Sequence, residues 1–168
     1  MKKTLTTLAI LFIATTSIFA QYKPADPSQV TQMLSMACVF EKTIASLSEC
    51  SIYVYDNADI EKAVSSFKGQ KLGNATLKNL TAGNSLPSER PDIILIGNSN
   101  NYAEILAYCN ENDVLSLTNI PSLVKKGVTL GMGIDDAGAP KLLINPEGVA
   151  EQGKNFNPAI MKMAKVFK

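Results

Sequence analysis

The stretch "GVTLGMGIDDAGAPKLLINPEG", Gly127 to Gly148, places Gly127, Gly131 and Gly133 ahead of two adjacent carboxylates, Asp135 and Asp136. It could be a loop that cradles a phosphate or a metal, or it could be structure alone, and its periodicity decides. Val128, Leu130, Met132 and Ile134 fall on one side of an extended chain, and Thr129, Gly131, Gly133 and Asp135 on the other. Such period-two alternation belongs to a strand. A phosphate-binding loop would also need a lysine and a hydroxyl residue after its glycines, and this stretch has no such pair. The glycines then mark a strand face that something approaches closely. Asp136-Ala137-Gly138-Ala139-Pro140 is turn chemistry, and Lys141 to Asn145 returns as an antiparallel strand. The expectation is a β-hairpin. Asn157-Pro158 then opens a final helix with Ile160, Met163, Ala164 and Phe167 on its core side.

Upstream, "DIILIG" (Asp92 to Gly97) is the least ambiguous segment. The aliphatic run Ile93 to Ile96 suits a central strand buried on both faces. Before it, Val30, Met33, Leu34, Ala37, Phe40, Ile44 and Leu47 recur at helical spacing, predicting one amphipathic helix of about four turns. "SIYVYD" predicts a strand, and Asp56-Asn57 a cap for a second helix carrying Ile60, Ala63, Val64 and Phe67, stopped by Gly69. A weaker strand runs from Ala75 to Leu80, followed by a polar, proline-containing loop from Thr81 to Pro91. Asn98-Ser99-Asn100 starts a helix whose core face is Tyr102, Ile105, Leu106 and Cys109. "VLSLTN" is a short strand leading into a helix from Pro121 to Lys126. Strands alternating with helices predict a single three-layer α/β domain with a mostly parallel sheet, a C-terminal antiparallel hairpin and a final helix.

Residues 1–20 have the form of a secretory signal peptide. Lys2 and Lys3 precede an apolar, threonine-diluted run ending at Ser17-Ile18-Phe19-Ala20, so cleavage is expected after Ala20. The run is short for a bilayer span. The expected mature domain is residues 21–168, exported to the periplasm, and removing Lys2 and Lys3 turns the formal charge from +1 to −1. No basic run beyond Lys125-Lys126 exists, which argues against nucleic acid as a partner. The chain has 3 cysteines. Cys109 falls on an apolar helix face; Cys38 and Cys50 flank a helix end and can pair in an oxidising compartment.

The chain has 0 histidines, which removes Ser-His and Cys-His nucleophilic pairs and the commonest zinc ligand. Asp135 and Asp136 are sequential and would point apart on a strand, so no catalytic carboxylate pair is expected from them. Neither a cofactor nor a metal is called for, and no catalysis is expected. In an open parallel sheet, ligands collect beyond the carboxyl ends of the strands. Those ends carry Asp56, Asn57, Asn98, Ser99, Thr118 and Asn119, a neutral hydrogen-bonding rim suited to a small polar ligand. Helix capping explains the same residues, and both readings stay open. So does a homo-oligomer.

The pattern G-V-T-L-G-M-G-I-D-D, K-L-L-I-N-P and I-M-K-M-A resembles the C-terminal signature of the YfiR-like family of small exported α/β proteins. "F-E-K-T-I", Phe40 to Ile44, is similar to the helix that runs into the family's first strand. The aromatic-proline pair that often closes that helix is absent, and Leu143 stands where an aromatic residue usually precedes Ile-Asn. The family's cysteine pairing is not carried over, because Cys109 falls on a helix. The resemblance implies a non-catalytic periplasmic repressor that docks on the sensor domain of an inner-membrane diguanylate cyclase. It would restrain cyclic-di-GMP synthesis until an envelope signal releases it. Such docking calls for an exposed apolar patch on the first helix or on the final hairpin and helix.

Overall fold

The computed structural model describes residues 22–97 and 100–167. The expected signal peptide, with Asn98 and Ser99 of the expected rim, lies outside the described residues. Along the chain run β1 (Lys23–Pro24), α1 (Pro27–Phe40), α2 (Lys42–Ala45), β2 (Glu49–Tyr55), α3 (Ala58–Ser65) and β3 (Lys71–Leu72). Then come β4 (Ala75–Gly83), β5 (Ile93–Ile96), α4 (Tyr102–Glu111), β6 (Leu115–Thr118) and α5 (Pro121–Lys125). The last third holds β7 (Leu130–Ile134), β8 (Pro140–Ile144), α6 (Pro146–Glu151), α7 (Ile160–Met163) and β9 (Ala164–Val166). Among the described residues no helix is long and apolar enough to cross a membrane.

One sheet holds the strands in the order β3-β4-β2-β5-β6-β7-β8-β9, with β1 beside β7. β4, β2, β5, β6 and β7 are mutually parallel; β8 returns antiparallel to β7, and β9 lies parallel to β8. The α/β architecture is the one expected. β5 shows why: Ile93 and Leu95 enter one core with α1 and α3, while Ile94 and Ile96 enter a second with Ile105, Cys109 and Leu123. A strand buried on both faces reads as a near-continuous aliphatic run.

The opening hairpin forms, in register from Leu130↔Ile144 to Ile134↔Pro140. The Asp135 carboxylate accepts from the N–H groups of Ala137 (3.0 Å) and Ala139 (2.8 Å), closing the turn. The bond from Ala139, helped by Lys141, holds its carboxyl below the usual carboxylate range. The strand glycines do admit close neighbours. A Cβ on Gly131 would collide with Val124 of α5, and one on Gly133 with Pro121 and Tyr22.

Two expected helices are corrected. The first does not run on to Leu47: Glu41 is extended (φ −81°, ψ 119°), and α1 and α2 are separate. Periodicity could not anticipate this break, because its cause is distant in sequence. Glu41 bridges to Phe156, and the Phe40 carbonyl accepts from the Asn157 N–H at 2.7 Å. The final helix lasts only one turn and buries Ile160. From Ala164 the chain turns extended and pairs as β9 with β8, Leu142↔Ala164 to Ile144↔Val166. A longer helix would have left the outer edge of β8 unpaired, and pairing it satisfies that edge's backbone groups. Met163, expected inside, is exposed.

Candidate functional site

The strand order β4-β2-β5-β6-β7 reverses direction between β2 and β5, where an open α/β sheet usually opens its crevice. Here that position is filled. Gly97 follows β5 so closely that a Cβ on it would meet Asn57 Cβ at 2.5 Å and the Asp56 carbonyl at 2.6 Å. The Gly97 N–H donates to the Tyr55 carbonyl at 2.7 Å. Asn57 caps α3, its Oδ1 accepting from the Ile60 N–H at 3.0 Å. Asp56 sits in the left-handed region (φ 53°) at the sharp exit from β2. These two residues line a shallow recess of about 340 Å³ with Ala58, Glu61, Gly83 and Asn84, on the β4 side of β2.

Thr118 and Asn119 lie elsewhere, at the end of β6. The Thr118 hydroxyl is buried, donating to the Ile96 carbonyl (2.8 Å) and accepting from the Ile120 N–H (3.1 Å). Asn119 holds the N-terminal arm. Its Nδ2 donates to the Ala25 carbonyl at 3.0 Å, and its own carbonyl accepts from the Ala25 N–H at 3.1 Å. Among the described residues Asn119 Oδ1 is buried without a hydrogen-bond partner, a costly condition for an amide oxygen. The described part of the expected rim is therefore two separate pairs, Asp56 with Asn57 and Thr118 with Asn119.

A larger cavity, about 630 Å³, was not anticipated from the sequence. It follows from an unusual connection. α3 covers the sheet between β2 and β4, and α4 and α5 cover it between β5, β6 and β7. The crossover from β4 to β5, residues 84–92, contains no helix. It passes on the side of Tyr53, whose hydroxyl donates to the Ser85 carbonyl at 2.7 Å. Gly83 makes room for that bond: a Cβ there would stand 2.6 Å from the Tyr53 oxygen. Burial pushes the Tyr53 phenol above its ordinary range. Parallel pairing aligns Ser51 with Asn79 and Tyr53 with Thr81, so these four share the sheet face that the crossover only partly covers. A run of loop residues gives no periodic signal, so nothing in the sequence could point to this space.

The opposite end of the sheet exposes apolar side chains, interleaved with the exposed Lys162 and Lys165. Met161, Met163 and Val166 are exposed at 46%, 53% and 44%. Beside them Ile144, Pro146, Val149, Phe156, Pro158 and Met161 line a notch of about 330 Å³. Glu41 anchors this region. It is fully buried, and its carboxylate accepts from the N–H of Ile44 (2.9 Å) and of Asn155 (3.1 Å), tying α2 to the segment that leads into α7. Nearby, burial lowers the Lys154 ammonium below its ordinary range, against the pull of Glu41 and Asp113.

Cys38 on α1 and Cys50 on β2 are buried thiols that hydrogen-bond each other. That bond, with burial, keeps Cys38 protonated far above the usual thiol range, while it favours Cys50 as the acceptor and lowers it. Cys109 is buried on α4, and burial pushes its thiol up to about 12. Among the described residues no cluster of three Cys, Asp or Glu side chains could hold a metal.

No curated protein matches the chain. A family model does, over residues 41–165, from the buried Glu41 to the middle of β9. That span contains the hairpin, the glycine-bearing strand and the Ile-Asn end of β8 on which the resemblance rested. The chain belongs to the YfiR/HmsC-like family.

Proposed function

We propose that this chain is an exported regulatory module that binds the periplasmic domain of a membrane diguanylate cyclase and restrains it, with no catalysis of its own. Family membership supports a regulatory role in such signalling. The observation that carries the docking step is the apolar surface at Met161, Met163 and Val166 with its adjoining notch. Exposed apolar side chains beside a pocket that an anchor residue could fill are what a protein interface uses. Restraint follows if the module binds the inactive state of the receptor more tightly than the active one. The test is intracellular cyclic-di-GMP with and without the gene. Deletion should raise it, and the exported protein, but not a form lacking residues 1–20, should bring it back. An unchanged level would sink the proposal.

A second reading, a periplasmic small-molecule binding module, draws on one observation: the unpartnered Asn119 Oδ1 at the end of β6. A ligand donor there would satisfy it. Melting curves across a metabolite panel check this reading, since a ligand selective for the folded state raises the midpoint. Asn119→Ala should abolish any such rise if the site is at the strand ends.

A further inference from the structure

We propose that the 630 Å³ cavity under the helix-free β4–β5 crossover binds a small polyhydroxylated carboxylate of the sugar-acid class. The size suits a single small ligand, since such sites span roughly 300–1,000 Å³. Its walls present more polar than apolar surface, and several of their hydrogen-bonding groups are left unspent by the fold. The side chains of Asn79, Thr81 and Ser88 line it and make no hydrogen bond to the chain among the described residues. The Tyr53 hydroxyl donates to Ser85 and keeps its lone pairs. These groups match the alternating donors and acceptors of a polyol better than an apolar ring.

The charge on the lining narrows the class. Lys68 and Arg90 stand against Glu89 alone. Lys68 has no ion-pair partner among the described residues. Arg90 donates through Nε to the Asn112 carbonyl and through Nη2 to the Asp113 carbonyl (3.0 Å), which fixes the guanidinium and leaves its other nitrogen to give. Asp92 does not line the cavity, and its carboxylate is taken up by the Ser51 N–H (2.8 Å) and hydroxyl (2.7 Å). One net positive charge complements a monoanion. A phosphate ester, near two negative charges, would bring an excess of one. This site lies at the other end of the sheet from the apolar docking surface and does not depend on it.

The experiment is thermal unfolding of the full mature protein with D-galacturonate, D-glucuronate and D-gluconate, and with D-galactose and D-glucose as neutral controls at matched ionic strength. A rise of about 8 °C at a hundredfold excess over Kd is expected for at least one acid, with little from the neutral sugars. Thr81→Val and Lys68→Gln, both at exposed positions, should leave the ligand-free midpoint unchanged and remove most of the rise. Asn119→Ala should keep it, which separates this cavity from the strand-end reading. No rise with any acid overturns the proposal. An equal rise with neutral sugars overturns the assigned class, and a rise that survives both variants overturns the site.

Discussion

The two ends of the sheet handle the same problem in opposite ways. At the β9 end, a short helix and an extra strand are added until the backbone edge of β8 is paired, and apolar Met161, Met163 and Val166 are left facing outward. At the β4 end the connection to β5 carries Pro87 and Pro91 among serines and charged residues, so no helix can form and no apolar stripe exists to bury. The sheet face beneath it keeps polar side chains and an open cavity. A crossover helix seals a sheet by burying its apolar face against it, as Ile105 and Cys109 of α4 do. Where the helix is missing, the space remains available to a ligand. An apolar surface suits a protein; a polar hollow suits a small molecule.

The strongest way to break this contrast is Glu41→Ala. It leaves the buried N–H of Ile44 and the part-buried N–H of Asn155 without an acceptor, and should cost about 3 kcal/mol, or roughly 10 °C in melting temperature. Hydrogen exchange should rise around α7 and β9 while β2 and β4 stay protected. Equal loss at both ends would mean that they are not independent. Oxidation acts on the other flank. A Cys38–Cys50 disulfide would join α1 to β2 and raise stability by up to about 3 kcal/mol, read as a two-dalton mass loss with a higher melting point; a lower one would show that the buried geometry cannot take the bond.

A smaller effect on stability but a sharper one on binding is expected from Met161→Asp combined with Met163→Asp. Both side chains are exposed, so folding should change by less than about 0.5 kcal/mol each, while affinity for the receptor domain should fall at least about tenfold. Unchanged affinity would move the docking surface elsewhere. The mildest is Tyr53→Phe. Losing the bond to the Ser85 carbonyl should cost about 1 kcal/mol and loosen the crossover, leaving receptor binding as it was. If receptor binding falls too, the two ends communicate.

Much of the fold was legible in local pattern. The aliphatic run of β5, the alternation in β7, the turn at Asp135 to Ala139 and the apolar face of α4 each announce an element through residues a few positions apart. What was missed has a common cause. The break at Glu41 comes from Phe156 and Asn157, and the replacement of the final helix by β9 comes from the open edge of β8. The rim was legible as residue types, but the packing of its described members was not. Gly97 packs onto Asn57, and Thr118 spends its hydroxyl on its neighbours.

By itself the sequence determined the α/β class, the hairpin and the family likeness, because these rest on periodicities of two and of about 3.6 residues that near neighbours carry. It also determined that no histidine chemistry is available. Only the tertiary structure decided where helices stop, which strand ends close up, and which face of the sheet stays uncovered. Those outcomes depend on which distant backbone groups need a partner and on how closely two turns approach, and neither quantity is written in the spacing of residues along one segment.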